Sequence, residues 1–175
     1  MRTAVISTSA AVGGTAKSAR FTSRMRWREK LEKRQEPKIV DVPPRMQRQC
    51  GEGKMLIPRP LDVDALAREV PRGKLVTVNQ IRARLAAEHG ADVTCPLTTG
   101  IFLRIAAETA EEDRQAGKSR ITPYWRVLRE GGRLNEKYPG GVVAQAKQLK
   151  AEGHQLKWMG KGCGVIDFER RLVSW

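Results

Sequence analysis

Residues 121–141 read ITPYWRVLREGGRLNEKYPGG, and the fold turns on this stretch. The short apolar segment Pro123 to Leu128 ends at Gly131-Gly132, and a second turn closes at Pro139-Gly140-Gly141. A strand-like piece, a glycine turn and a charged loop predict a wing beside a helical DNA-binding unit. Upstream, Val63, Leu66, Ala67 and Val70 follow the i, i+3, i+4, i+7 spacing of a helix capped by Asp62, which the turn 71–74 stops. Thr77-Val78-Asn79-Gln80 is a capping box opening a second helix, with Ile81 and Leu85 inward and Gly90 as its stop. Pro96 suits the first turn of a third helix, capped by Thr94 or Cys95. On it Leu97, Ile101 and Ile105 form one stripe, with Phe102 and Ala106 beside it, and the polar run 108–115 carries it into solvent. Downstream, Val143, Ala146 and Leu149 mark a fourth helix ending at Gly153, and 167–173 predicts one more short helix. The second and third helices make a helix-turn-helix candidate, which periodicity alone does not separate from other helical pairs. The fold class expected is mainly α, a winged helix-turn-helix-like domain with a short strand and a wing loop.

Charge points to the partner. The net charge is +14 and is uneven: residues 1–50 carry 12 Lys/Arg against 4 Asp/Glu, and residues 51–175 carry 21 against 15. A basic balance favours polyanions, double-stranded DNA above all. No apolar run approaches the roughly 20 residues that a membrane span needs, so no membrane partner is expected. Cys50, Cys95 and Cys163 show no CxxC spacing and read as reduced thiols of a cytoplasmic protein. With only two histidines, His89 and His154, no metal site and no cofactor are expected, and the chain reads as a monomer.

Residues 1–36 read as a disordered basic extension, Ser/Thr/Ala/Gly-rich with its first acid at Glu29. For residues 1–28 two readings stand, an organellar transit peptide and a flexible or upstream extension. Residues 27–33 allow a turn or two of basic helix. Pro37, Pro43 and Pro44 make 37–60 an extended surface linker. The domain is expected over 61–157, followed by a tail over 158–175.

Several motifs in order resemble the methylated-DNA–protein-cysteine methyltransferase family. They are Pro71-x-Gly73-Lys74-x-Val76-Thr77, Pro123-x-x-Arg126-Val127, Gly132-x-Leu134, Tyr138-x-Gly140-Gly141 and Glu152-Gly153-His154, spread over Leu61 to about His154. The resemblance implies a helix-turn-helix whose recognition helix enters the minor groove and turns a damaged base out into a pocket. On it, the pocket residues are Pro123, Tyr124, Trp125, Arg126, Val127, Tyr138, Gly140, Gly141 and Glu152. The DNA-binding residues are Lys74, Thr77, Thr98, Thr99, Gly100, Arg104 and Arg126.

The departures set the expected chemistry. The family motif reads Pro-Cys-His-Arg-Val, and Tyr124-Trp125 stand in place of its cysteine and histidine. A phenol with a reference pKa of about 10 is a poor nucleophile near neutrality, and an indole N–H only donates. Glu152 is thereby left without the histidine it orients in the family. Cys95, which precedes the third helix, reads as a capping or packing residue and not as a relocated nucleophile. The chain therefore resembles the family's alkyltransferase-like branch, which lacks the acceptor cysteine and marks alkylated guanine for other repair proteins. Val78 stands where the family has a tyrosine that rotates the nucleotide, Leu97 about where it has its arginine finger, and 107–120 is longer than usual. Two function classes follow. One is a non-catalytic DNA-binding protein recognising alkylated guanine in repair. The other is a repurposed helix-turn-helix scaffold that binds protein, with Tyr124 and Trp125 filling the old pocket. A continuous basic face on the third helix favours the first, and an apolar one the second.

Overall fold

The computed structural model describes residues 26–175, so the expectations for residues 1–25 lie outside the described residues. At the first described residues the chain departs from expectation. Trp27–Leu31 forms helix α1, within the turn or two of helix read over 27–33, but it is no disordered extension, because Leu31, 2% exposed, packs with Ile105 and Ala106. Trp27 and Leu31 lie one turn apart and so share the face that is buried. Glu112 accepts the Trp27 and Arg28 backbone N–H groups at 3.3 and 3.4 Å, placing a carboxylate at the helix start, where it is favourable.

Residues 37–60 are no linker either. Strand β1 (Lys38–Asp41) pairs antiparallel with β2 (Lys54–Ile57), Ile39 opposite Leu56, and helix α2 (Pro44–Cys50) connects them. Pro43 sits at the N-cap and Pro44 in the first turn, where a missing N–H costs nothing, so the prolines punctuate the elements and do not prevent them.

Helix α3 (Pro60–Glu69) buries Val63, Leu66 and Ala67, with Val70 buried at its end, as the spacing predicts. Its cap lies earlier than expected. Arg59 is the N-cap, and Asp62 reaches back to accept the Arg59 N–H at 3.0 Å. Strand β3 (Val76–Thr77) leads into α4 (Val78–His89), whose capping box forms as read: Gln80 N–H donates to Thr77 Oγ1 at 3.2 Å, and Thr77 N–H to Gln80 Oε1 at 3.0 Å. Gly90 ends the helix in the left-handed region, φ 64. Strand β4 (Val93–Thr94) joins β2 in parallel, and Val42, Met55 and Cys95 close a small core beneath that sheet.

Helix α5 (Pro96–Gln115) is the spine against which α1 and α3 pack. Its buried face carries Thr99, Leu103, Ala106, Ala107 and Ala110, not the expected stripe: Leu97 is 68% and Ile101 49% exposed. Of that stripe Ile105 alone is buried, beneath α1. Nor does the polar end project freely into solvent, since Asp113 is buried and pairs with Arg28 and with Lys118 at 2.8 Å.

The predicted strand at Pro123 to Leu128 is shorter than expected. Tyr124–Arg126 is one 3-10 turn, and β5 (Val127–Leu128) alone pairs, in parallel with β3. The loop 129–140 is not a two-stranded wing; Arg129 N–H closes on Arg133 O at 2.8 Å, and Glu130–Gly132 forms a 3-10 turn. Gly132 has φ 73, and a β-carbon there would strike the Phe168 ring. Helix α6 (Gly141–Ala151) buries Gln145, Ala146 and Leu149, while Val143, expected inward, is 69% exposed. The tail is structured. β6 (Leu156–Met159) and β7 (Gly162–Val165) form a hairpin, and Phe168–Arg171 a 3-10 turn. Leu75 N–H donates to Arg171 O and Val173 N–H to Leu75 O, both at 2.9 Å, so the folded unit passes the expected boundary at 157. Among the described residues the chain is mainly α, six helices with three small sheets.

Candidate nucleic-acid interface and the aromatic pocket

The expected pocket is a filled, hydrogen-bonded core. Tyr124, 2% exposed, stands edge-on to Trp125 at 5.5 Å and to Tyr138 at 5.3 Å between ring centroids. Its hydroxyl donates to Glu111 Oε1 at 2.7 Å. Burial, and then Glu111, push the phenol well above its ordinary value of 10, so no phenolate nucleophile forms near neutrality. Tyr138 is likewise raised by burial, and its hydroxyl has no partner among the described residues.

Trp125, 9% exposed, donates its indole N–H to Glu152 Oε1 at 2.8 Å. Glu152, without a histidine to orient as expected, holds the indole N–H in its place. Arg126 adds a fork, Nε to Oε2 at 2.9 Å and Nη2 to Oε1 at 2.7 Å, and the Gly73 N–H approaches Oε2 at 3.2 Å. Burial raises the Glu152 carboxyl, but the hydrogen bonds from Arg126, Trp125 and Gly73 outweigh it and hold it below its usual 4.5.

Pro123 and Val127 are buried on either side of the aromatic turn, and Gly140 and Gly141, at φ 70 and 63, start α6. The residue that ties these pieces together escaped the sequence reading. Gln145 Nε2 donates to Trp125 O at 3.0 Å and Val127 O at 3.3 Å, while its Oε1 accepts the Asn135 N–H at 2.7 Å. A glutamine on an amphipathic helix carries no signal of such burial. Cys95 is buried in the small core, and burial raises the Cys163 thiol. Among the described residues no three His/Cys/Asp/Glu side chains gather as a metal site would require, and no helix is long and apolar enough to cross a membrane.

A separate concavity of about 590 Å³ opens between the starts of α4 and α5 and the loop 129–137. Five cations border it, Arg82, Arg104, Arg129, Arg133 and Lys137, against the single carboxylate of Glu130. Their existing pairings are loose or neutral. Arg104 meets a half-buried Glu108 at 3.6 Å and Arg129 meets an exposed Glu136 at 3.8 Å, and pairs this long with an exposed arginine hold a side chain weakly. Arg82 donates Nε to Thr94 O at 2.9 Å, which aims the side chain across the α4–α5 junction and keeps its charge uncancelled. The floor is apolar, with exposed Leu97 and Ile101 beside Val78.

Of the expected DNA-binding residues, the structure brings Gly100 and Arg104 into this groove. Thr77 spends its hydroxyl on the helix cap, and Thr99, fully buried, donates its own to Cys95 O at 2.8 Å. Thr98 does the same at 3.3 Å. Lys74 is exposed but outside the groove. Arg126 is consumed by Glu152 and by Val70 O at 2.6 Å, so it has no free face for a phosphate. For the three threonines the cause is common, since short polar side chains at helix starts bond their own backbone first. The groove cations at 129, 133 and 137 were missed, although their signal was legible as a cation every fourth residue along the charged loop.

No protein-family model matches the chain, and no curated protein matches it. Two solved structures of a Schizosaccharomyces pombe protein are similar to it in chain path. One is Atl1 in complex with damaged DNA containing O6-carboxymethylguanine, at 17% identity and a TM-score of 0.46, covering 66% of this chain and 94% of that one. The other is ATL in complex with DNA, at 16% identity and a TM-score of 0.44 with the same coverage.

Proposed function

We propose that this chain is a non-catalytic, alkyltransferase-like protein that holds double-stranded DNA in the basic groove, with α4 and α5 as its helix-turn-helix and the loop 129–140 as its wing. The observation that carries this reading is the ring of five cations to one carboxylate around a concave floor. Cations in that arrangement release counterions from the phosphate backbone and supply sequence-blind affinity. Exposed Leu97 and Ile101 suit the apolar wedge with which minor-groove proteins part a base step. The buried, carboxylate-bonded Tyr124 hydroxyl and the indole at Trp125 supply no acceptor for an alkyl group. Recognition of alkylated guanine on behalf of other repair proteins is the finer part of the proposal. It requires the Tyr124–Trp125 rings to stack on or make room for the flipped base.

The exposed apolar pair also favours a second reading, a scaffold that docks protein on α5. One titration decides between them, with plain and 6-O-methylguanine duplexes at two salt concentrations. Duplex binding should weaken at least tenfold in the Arg104→Ala/Arg133→Ala double variant, and the salt slope should fall by about 1.8 for two lost phosphate contacts. Equal binding by wild type and double variant sinks the DNA reading. Equal affinity for both duplexes removes lesion recognition and leaves plain duplex binding standing.

A further inference from the structure

A second cavity, of about 540 Å³, lies between the end of α3, the segment 119–126 and the end of α6, and it shares no lining residue with the groove. Four guanidinium groups line it, those of Arg68, Arg72, Arg120 and Arg126. Two are already neutralised, Arg68 by Asp64 at 2.7 Å and Arg126 by Glu152 at 2.7 Å. Arg72 and Arg120 are exposed and have no carboxylate partner among the described residues. The mouth therefore keeps two uncancelled positive charges, both on planar forks that match a phosphate's oxygens. Ser119 adds a hydroxyl, while Ile121 and Pro123 form an apolar wall. Arg126 at 5.6 Å and Arg114 at 5.5 Å from the Trp125 ring centroid hold that ring in the cavity wall. The volume falls in the range of small-ligand sites, larger than a bare ion requires.

We propose that this cavity binds a phosphomonoester dianion, carried either by a free mononucleotide or by the 5′-phosphate at a DNA strand end. A phosphomonoester brings a charge of about −1.5 to −2 at pH 7, matching the two unpaired arginines, and an organic body for the apolar wall. A phosphodiester within a strand brings only one charge and matches less well. The cavity shares no residue with the duplex groove, although Trp125, whose ring the lesion reading also uses, lines its wall.

The test is calorimetric titration of the full chain with adenosine 5′-monophosphate and with adenosine, and with one oligonucleotide bearing a 5′-phosphate or a 5′-hydroxyl. Two variants remove the same charge from different places, Arg72→Ala/Arg120→Ala in the cavity and Arg129→Ala/Arg133→Ala in the groove. All four arginines are exposed, and unchanged thermal midpoints would show that both variants fold. The phosphorylated member of at least one pair should bind at least tenfold tighter than its counterpart. The cavity variant should lose that preference, and the groove variant should keep it within twofold. Preference in the mononucleotide pair identifies a free ligand, and preference in the oligonucleotide pair alone identifies a strand end. The proposal is overturned if neither phosphorylated probe is preferred, or if both variants weaken binding equally, as bulk charge would. Loss of duplex binding in the groove variant speaks to the duplex reading alone.

Discussion

Glu152 is where three donors meet, and its value lies in what it leaves unpaired when altered. Its carboxylate, 7% exposed, answers the Arg126 guanidinium, 13% exposed, as well as the Trp125 indole. Removing the charge leaves a largely buried cation without its counterion, which is more costly than losing the pair as a whole. Glu152→Gln should therefore lower unfolding stability by about 3 kcal/mol, read from urea titration. Trp125→Phe keeps an aromatic ring but removes the pyrrole half of the indole with its charge-assisted hydrogen bond, so it should cost about 2 kcal/mol. A Glu152→Gln cost below that of Trp125→Phe would show that Arg126 does not depend on this carboxylate.

Helix α1 is too short to persist alone, since a five-residue segment makes too few internal hydrogen bonds to offset nucleation. It exists because α5 offers Ile105 and Ala106 to Leu31, and Glu112 and Asp113 to its backbone and to Arg28. Leu31→Ala should cost roughly 2–4 kcal/mol, at the lower end of core truncations because the cluster is small. Truncation at Pro37, which a disordered arm would tolerate, should likewise lower the thermal midpoint by several degrees. An unchanged midpoint by differential scanning calorimetry would detach α1 from the domain. The same packing brings Arg104 to within 5.9 Å of the Trp27 ring, so α1 also borders the element that carries the groove cation.

Over the whole molecule, the pH response separates into two windows. His154 is buried and held neutral, its pKa lowered from 6.5 first by burial, with Arg171 and Arg126 acting in the same sense and Glu152 opposing. The folded chain takes up this proton less readily than the unfolded one, so stability holds above the ordinary imidazole value and falls as pH drops below 6.5. Asp62, Asp113 and Glu152 are held below their ordinary values of 3.8, 3.8 and 4.5, so their contributions persist until the pH falls further. Unfolding free energy measured at pH 7.5 and 5.5 should therefore fall in the wild type and stay flat in His154→Gln. Equal falls in both would move the acid response to other groups.

The sequence by itself determined what depends on near neighbours. The Thr77–Gln80 capping box, the proline start at Pro96, the glycine stop at Gly90 and the inward spacing of α3 all form as read, because each is settled within four residues. The segment after Pro123 did not, since it reads as strand and opens as a 3-10 turn before β5. Only the tertiary structure decided which side of α5 is buried, since its apolar residues ring more than one face and the packing partner chooses among them. It also decided that 26–57 and 158–173 are folded. Those segments are held by Leu31 against Ile105, β2 against β4 and Leu75 against Leu172, pairings across dozens of residues that no local window contains. The groove has the same origin, because residues from 78 to 137 become neighbours only when the helices pack.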